Sequence, residues 1–520
     1  MVMSQRGVAS SSQVLASQAG AATLAKGGSA ADAAIAVNAV LAVTEPMMCG
    51  LGGDLFVLYW DAARGKLSGL NASGAAPRAL SPERLRALGY GAMPEEGIHS
   101  VTLPGAVDGW GQMHARFGCL PWKSLFDQAI THAFEGVPVP EVVSALWSDP
   151  GTVARLGAIK ESARVFLPEG RPPRLGELFR NPGLGTALQE IAAGGATAFY
   201  LGRIGEAILR VSQSLGGTIT REDLGSVAAE WVDPVSINYK GCRVYELPPN
   251  GQGMAALEML NILAAAGDFG WHTRIEAMKL AYADAYRYIA DPRRSRVPVA
   301  ELLSMDYARR RAALIDPRRA NGSVEPGIAP ASDTVYFTVA DRAGNIASWI
   351  QSIFGAFGSA ITVDGRGFVL QNRGAGFTLD PSHPNVLEGG KRPYHTIIPG
   401  FLERDGERMA FGVMGGANQP LAHAQFVSNL VDLGMNPQQA LEAPRFFKGT
   451  ASGCNVAIEA RAGAAVLDEL SLLGHEITIA PPYSQQMGRG QAIARNRETG
   501  VNCAASDPRS DGAAIPEPLP

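Results

Sequence analysis

The sequence predicts a layered α+β fold, and three observations predict it. The first third of the 520 residues is rich in alanine and carries helical apolar spacing. Near residue 316 the composition changes to a stretch of Pro, Gly, Ser and Arg with no apolar period. Beyond it the pattern becomes strand-like, so helices, a linker and a strand-rich last third follow one another.

The elements follow in order. Residues 11–26 and 30–43 read as helices, split by Gly27-Gly28-Ser29, a stop followed by a capping residue. Glu45-Pro46 ends the second helix, residues 49–54 form a loop, and residues 55–60 read as a strand. After the turn at Leu103-Pro104-Gly105 a helix covers 106–117. Residues 274–290 read as a strongly amphipathic helix, stopped by Asp291-Pro292. Residues 316–332 are expected to be an exposed linker. Residues 334–340 and 346–353 form a hairpin around a turn at 342–345. Further strands are expected at 368–370, 396–402 and 409–413, and a helix over 421–433 after Pro420.

Composition excludes several classes. Lys and Arg number 45 against 49 Asp and Glu, a net charge of −4, which gives nucleic acid or an anionic membrane no electrostatic hold. Hydrophobic residues at 46% and charged ones at 18% rule out disorder. The 61 glycines exceed the ~7% of an average protein but have no collagen period. Five isolated cysteines without C-x-x-C spacing speak for free, buried thiols rather than zinc or disulfides. The start of the chain lacks a long apolar core, so no signal peptide is expected, and the cytoplasm is the expected compartment. The apolar run at 30–43 is too short for a bilayer.

Several catalytic motifs are missing. The sequence has no G-x-S-x-G, no H-E-x-x-H and no P-loop, and its eight histidines are scattered, so neither a metal nor another cofactor is expected. Gly50-Leu51-Gly52-Gly53 precedes a strand instead of following one, which removes the dinucleotide reading.

Three features of the last third converge on chemistry: Thr334 where the linker meets a strand, Ser352 on the strand paired with it, and Gly415-Gly416 just after the strand at 409–413. A threonine hydroxyl needs a base to take its proton, and a chain's own α-amino group is one known base. Thr334 acquires that amine only if the chain is cut between Asp333 and Thr334. Adjacent glycines let backbone N–H groups approach a developing oxyanion.

The segment Asp333-Thr334-Val335-Tyr336-Phe337-Thr338-Val339-Ala340-Asp341, followed by Gly344-Asn345, resembles the start of the small subunit of the gamma-glutamyltransferase family. Further ordered matches are Gly50 to Asp54, Pro104-Gly105, Pro248-Pro249, Tyr282-Ala283-Asp284, Phe357-Gly358, Lys391-Arg392-Pro393, Ala443-Pro444-Arg445-Phe446 and Ala505-Ser506-Asp507-Pro508-Arg509. The resemblance implies an N-terminal nucleophile hydrolase with a four-layer αββα sandwich. It implies a proenzyme that cuts itself into residues 1–333 and 334–520, which together form one αββα unit and can pair as a dimer of such heterodimers. Thr334 is then the nucleophile on a small-molecule amide, Gly415 and Gly416 form the oxyanion hole, and Ser352 holds the nucleophile's hydroxyl.

The acyl-donor pocket departs from the family pattern. Ser73 stands where the family has an arginine for the donor's carboxylate, and Gly376 where it has an acidic residue for the amine. Phe354 replaces a pocket asparagine, and His395-Thr396 a serine pair. Without both counter-charges a γ-glutamyl donor would bind poorly. Arg373, His395 and Asn418 fall at or beside lining positions, and Arg373 offers a carboxylate a new partner. The segment corresponding to a lid is short, 378–390, so an open site with water as acceptor is expected. The pattern is similar to the divergent branch that includes oxamate amidohydrolase and cephalosporin-acylase-type enzymes. The rival readings are a true γ-glutamyl enzyme acting on glutathione and an inactive scaffold of the same fold.

Overall fold

The structure, a computed structural model, describes residues 1–324 and 333–519; the expected linker therefore lies partly outside the described residues. Two antiparallel seven-stranded sheets dominate it. One runs Val2–Ser4, Asn502–Ser506, Arg489–Asn496, Glu407–Met414, Gly400–Arg404, Cys242–Glu246, Val235–Tyr239. The other runs Ala513–Pro516, Val8–Ser11, Asp333–Ala340, Ile346–Phe354, Asp54–Asp61, Lys66–Ala72, Glu230–Val232.

The sheets pack face to face through Phe56, Leu58, Tyr336, Ile346 and Ile350 on one and Phe401, Ala410, Met414 and Ile493 on the other. Helices Val14–Ala25 and Ala30–Thr44 cover the outside of the second sheet, against Val335, Phe337, Val339 and Trp349. Helices Gly253–Ala266, Trp271–Tyr288 and Gln419–Val431 cover the outside of the first, against Val244, Leu402, Phe411 and Val413. The result is the four-layer αββα sandwich. It explains why the central strands read as nearly continuous apolar runs: even-numbered residues of 334–340 face the other sheet, odd-numbered ones face helices, and both faces are buried.

Most expected elements are present with ends shifted by a few residues, and the helix Ala106–Phe117 has the expected ends. Three expectations need correction. Besides the strand expected at 55–60, residues 1–333 hold the strands Val2–Ser4, Val8–Ser11, Lys66–Ala72, Glu230–Val232, Val235–Tyr239 and Cys242–Glu246, which the helical pattern did not show, so half of both sheets taken together comes from before residue 333. Val8–Ser11 is only four residues long and, after Val8, built of small residues with weak strand propensity, which hid it. Residues 368–370 form only isolated bridges, Gly52 with Leu370 and Thr362 with Val369, and 396–399 stay outside the strand that begins at Gly400. Finally, Trp271–Tyr288 is not amphipathic. Arg274, Glu276, Lys279 and Asp284 are all buried, and Lys279 pairs with Glu276 at 2.7 Å. All five cysteines are free, but of the expected buried thiols only Cys49 and Cys242 are buried; Cys454 and Cys503 are half-buried and Cys119 is exposed. Among the described residues no helix is long and apolar enough to cross a membrane.

Candidate active site

The site forms where the hairpin at Asp333–Ala340 and Ile346–Phe354 ends. An irregularity between Asp333 and Val335 in the pairing turns Thr334 toward Ser352, on the face between the two sheets. Both residues are buried, and the Thr334 hydroxyl donates to Ser352 Oγ at 3.3 Å. Two further donors converge on Ser352 Oγ: Phe354 N at 2.9 Å and Arg373 Nη2 at 2.8 Å. Gln419 Nε2 donates to Thr334 Oγ1 from 3.4 Å. Gln419 opens the helix Gln419–Val431, so this contact comes from the first residue of the helix, at its positive end.

Arg373 is the electrostatic centre. Its side chain is fully buried, donates from Nη1 to Thr396 Oγ1 at 2.6 Å and stacks over Phe354 at 4.3 Å. Its Nε has no partner, and it makes no ion pair among the described residues. Burial pulls the guanidinium down to about 9, partly countered by the charge of Asp54, so it remains protonated at neutral pH. Phe354 sits at φ 78°, which is strained for an aromatic residue. Its N–H bond to Ser352 and the guanidinium over its ring hold it there.

The Gly415-Gly416 turn follows the strand Glu407–Met414, with φ of 146° and 60° that only glycine adopts readily. Its carbonyl side is fixed from outside. Gln252 Nε2 donates to Gly416 O at 2.9 Å and to Thr396 O at 2.6 Å, and the Tyr282 hydroxyl donates to Ala417 O. Tyr394 in turn donates to Gln252 Oε1 at 2.7 Å. One residue on, the Asn418 side chain is buried and neither its Nδ2 nor its Oδ1 has a partner among the described residues.

Two residues expected to touch substrate are otherwise engaged. His395 Nε2 donates to Asp54 Oδ2 at 3.0 Å, and its Nδ1 accepts from Ile397 N at 3.4 Å, so both ring nitrogens are used inside the protein. Burial, then the Arg373 charge, lowers His395 to about 4, although Asp54 pulls it back up. It is a neutral clamp between Asp54 and the Thr396 segment. Asp54 Oδ1 meanwhile accepts from Gly74 N at 2.8 Å and Gln371 Nε2 at 2.8 Å. Ser73 donates to Asn71 Oδ1 at 2.7 Å and borders a cavity of about 240 Å³ with Arg78, Arg293 and Arg392. It makes no hydrogen bond to the Thr334 group among the described residues.

The expectation of an open site is also corrected. Residues Phe377, Leu379 and Leu387 anchor the 378–390 segment on Ala76, Leu80 and Leu85, and Thr334, Arg373, Thr396 and Asn418 are all buried. At Gly376 an added Cβ would lie 2.8 Å from Tyr394 O, so this backbone has no room for the acidic side chain of the family pattern. The sequence reading missed Gln419, Asp54, Gln252 and Tyr394. Gln419 had a readable signal, its place just beyond the glycine pair at a helix start; the others depend on contacts remote in sequence.

One group of His, Cys, Asp or Glu side chains among the described residues is close enough to hold a metal: His272, Glu276 and His475. The Lys279 ammonium already sits 2.7 Å from Glu276 Oε1, and the two imidazoles contact each other at 2.8 Å. That cluster carries its own cation.

Residues 16–517 match the family described as gamma-glutamyltranspeptidase. The chain belongs to that family. The gamma-glutamyltranspeptidase relatives it resembles include the glutathione hydrolase-like YwrD proenzyme of Bacillus subtilis, 35% identical over 96% of each chain. Another is the oxamate amidohydrolase proenzyme of Klebsiella pneumoniae, 34% identical over 98% of each. Among solved structures, the cephalosporin acylase from Bacillus halodurans superposes with a TM-score of 0.93 at 40% identity, over 99% of this chain and 96% of that one. The chain is thus an amide hydrolase or acyltransferase of the gamma-glutamyltranspeptidase family, with the N-terminal nucleophile hydrolase fold.

Proposed function

We propose that the protein is a self-processing threonine amidohydrolase whose substrates are small amides bearing a carboxylate. The observation that carries this reading is the convergence of the Thr334 hydroxyl and the unneutralised Arg373 guanidinium on one oxygen, Ser352 Oγ. A buried guanidinium without a counter-ion is costly, and a substrate carboxylate would relieve the cost. The loss of an acidic site at Gly376 and the internal use of Ser73 support a donor other than a γ-glutamyl group.

In this reading the Thr334 hydroxyl first attacks the Asp333 carbonyl, and water completes the cut into residues 1–333 and 334–520. The freed α-amine, with an ordinary pKa of about 7.7–8, then takes the hydroxyl proton as Oγ1 attacks the substrate carbonyl. Gly415 and Gly416 N–H groups receive the negative oxygen, and the positive helix end at Gln419 adds to its stabilisation. The amine leaves with the proton, and water hydrolyses the acyl–Thr334 ester. With the open site corrected, it is the burial of the site that supports hydrolysis over transfer, since water is the smallest acceptor. The YwrD and oxamate amidohydrolase relatives are both described as proenzymes, which supports the cut.

An amide panel on the processed enzyme tests the reading. Small carboxylate amides should be turned over faster than γ-glutamyl anilides. Efficient release of aniline from a γ-glutamyl compound would favour the glutathione reading instead.

A further inference from the structure

Asn418, next in sequence to the Gln419 that reaches Thr334, has a side chain with neither polar atom satisfied among the described residues. It is wholly buried. It occupies a fixed place. Its N–H donates to Gly415 O at 3.0 Å, and its Cβ lies 3.6 Å from where Gly415 would carry a side chain. The next residue, Gln419, reaches the Thr334 hydroxyl. A buried carboxamide normally uses its donor and its acceptor, so one that uses neither among the described residues has both to offer a ligand.

A carboxamide presents an N–H donor and a C=O acceptor side by side on one edge. Its complement is another group with C=O and N–H on one edge. A primary amide has that edge, because one of its two N–H bonds lies on the same side as the carbonyl oxygen. A secondary amide in the ordinary trans form does not, because its single N–H points away from the oxygen. We propose that Asn418 pairs with the scissile amide and selects primary amides, so that the leaving group is ammonia. The inference rests on the Thr334 reading above and narrows its substrate class. Nδ2 donates to the carbonyl oxygen beside the glycine N–H groups, and Oδ1 accepts one N–H. When Oγ1 bonds to the carbonyl carbon and the C–N bond breaks, the nitrogen takes the threonine proton and leaves as ammonia, balancing the step.

The test compares a primary amide with its N-methyl derivative on the same acid, in wild type and in Asn418→Leu, using released ammonia or methylamine. Wild type should favour the primary amide at least tenfold in kcat/KM, and Asn418→Leu should bring that ratio near one while still cutting itself into two fragments. An N-methyl amide cleaved as well as the primary amide, or a preference unchanged in Asn418→Leu, overturns the inference. If Asn418→Leu does not fold, the wild-type ratio alone decides. Should carboxylate amides be inert and uncharged acyl amides active, the Arg373 reading fails, and the same pair of amides on the uncharged acid still judges Asn418.

Discussion

Replacing Arg373 by Met separates stability from activity. At neutral pH the folded protein keeps this guanidinium charged although burial lowers it from its ordinary value to about 9. At about 1.4 kcal/mol per unit, that costs the fold about 5 kcal/mol. Against this stand two hydrogen bonds from a charged donor, to Ser352 and Thr396, each worth about 1.5–3 kcal/mol, and stacking on Phe354 worth about 1 kcal/mol. The terms nearly cancel, so Arg373→Met should unfold within a few degrees of wild type, as exchanging buried ionic groups for apolar ones often does. The activity should not be spared. A substrate carboxylate left buried without its partner loses about 3–4 kcal/mol, or a factor of about 100 to 1,000 in kcat/KM. Differential scanning calorimetry with steady-state kinetics on a small carboxylate amide and an uncharged acyl amide reads both. A large drop in Tm with an unchanged ratio between the two substrates would refute the reasoning and make Arg373 a structural residue.

Three further outcomes are expected. Gly416→Ala puts a Cβ on a residue at φ 60°, costing about 1–2 kcal/mol and moving the N–H, so kcat should fall about 100-fold or more while fragments still form slowly. His395 is held near 4 in the fold against 6.5 unfolded, so the unfolded chain binds the proton first and this stability is lost as pH falls from 6.5 toward 4. In His395→Gln the acid limb of the stability–pH curve should be shallower by about 3 kcal/mol, measured by urea unfolding; parallel curves would contradict it. Finally, kcat/KM on a carboxylate amide should rise through the α-amine's titration near 8 and fall above about 9 as Arg373 loses its proton, and an uncharged amide should lack the alkaline fall.

The hairpin, the glycine pair and the flanking helices were legible because they rest on local patterns. Thr334, Ser352 and Gly415-Gly416 lie near strand ends that two-residue alternation and turn residues mark. Arg373 and His395 could be placed in the pocket only through the resemblance, and their opposite fates were not legible. One keeps an unpartnered Nε, the other spends both nitrogens, and the difference lies in Asp54, more than 300 residues earlier in the chain than either. The helix Trp271–Tyr288 misled for the same reason: its charges look like a solvent face until Lys279 is seen paired with Glu276 in the interior. The short 378–390 segment suggested openness because length was the only readable quantity, while its anchoring on Ala76, Leu80 and Leu85 is a tertiary fact.

The central claim is that Thr334 becomes the N-terminus and then carries the acyl group. Intact-mass spectrometry of the incubated protein, quenched in acid during turnover of a slow amide, tests both at once. The account predicts fragments of about 35 and 20 kDa, the smaller beginning at Thr334 and bearing the acyl mass on that residue, with a single uncut species from Thr334→Ala. An uncut wild-type chain that still hydrolyses the amide, or an acyl group on any other residue, would contradict it.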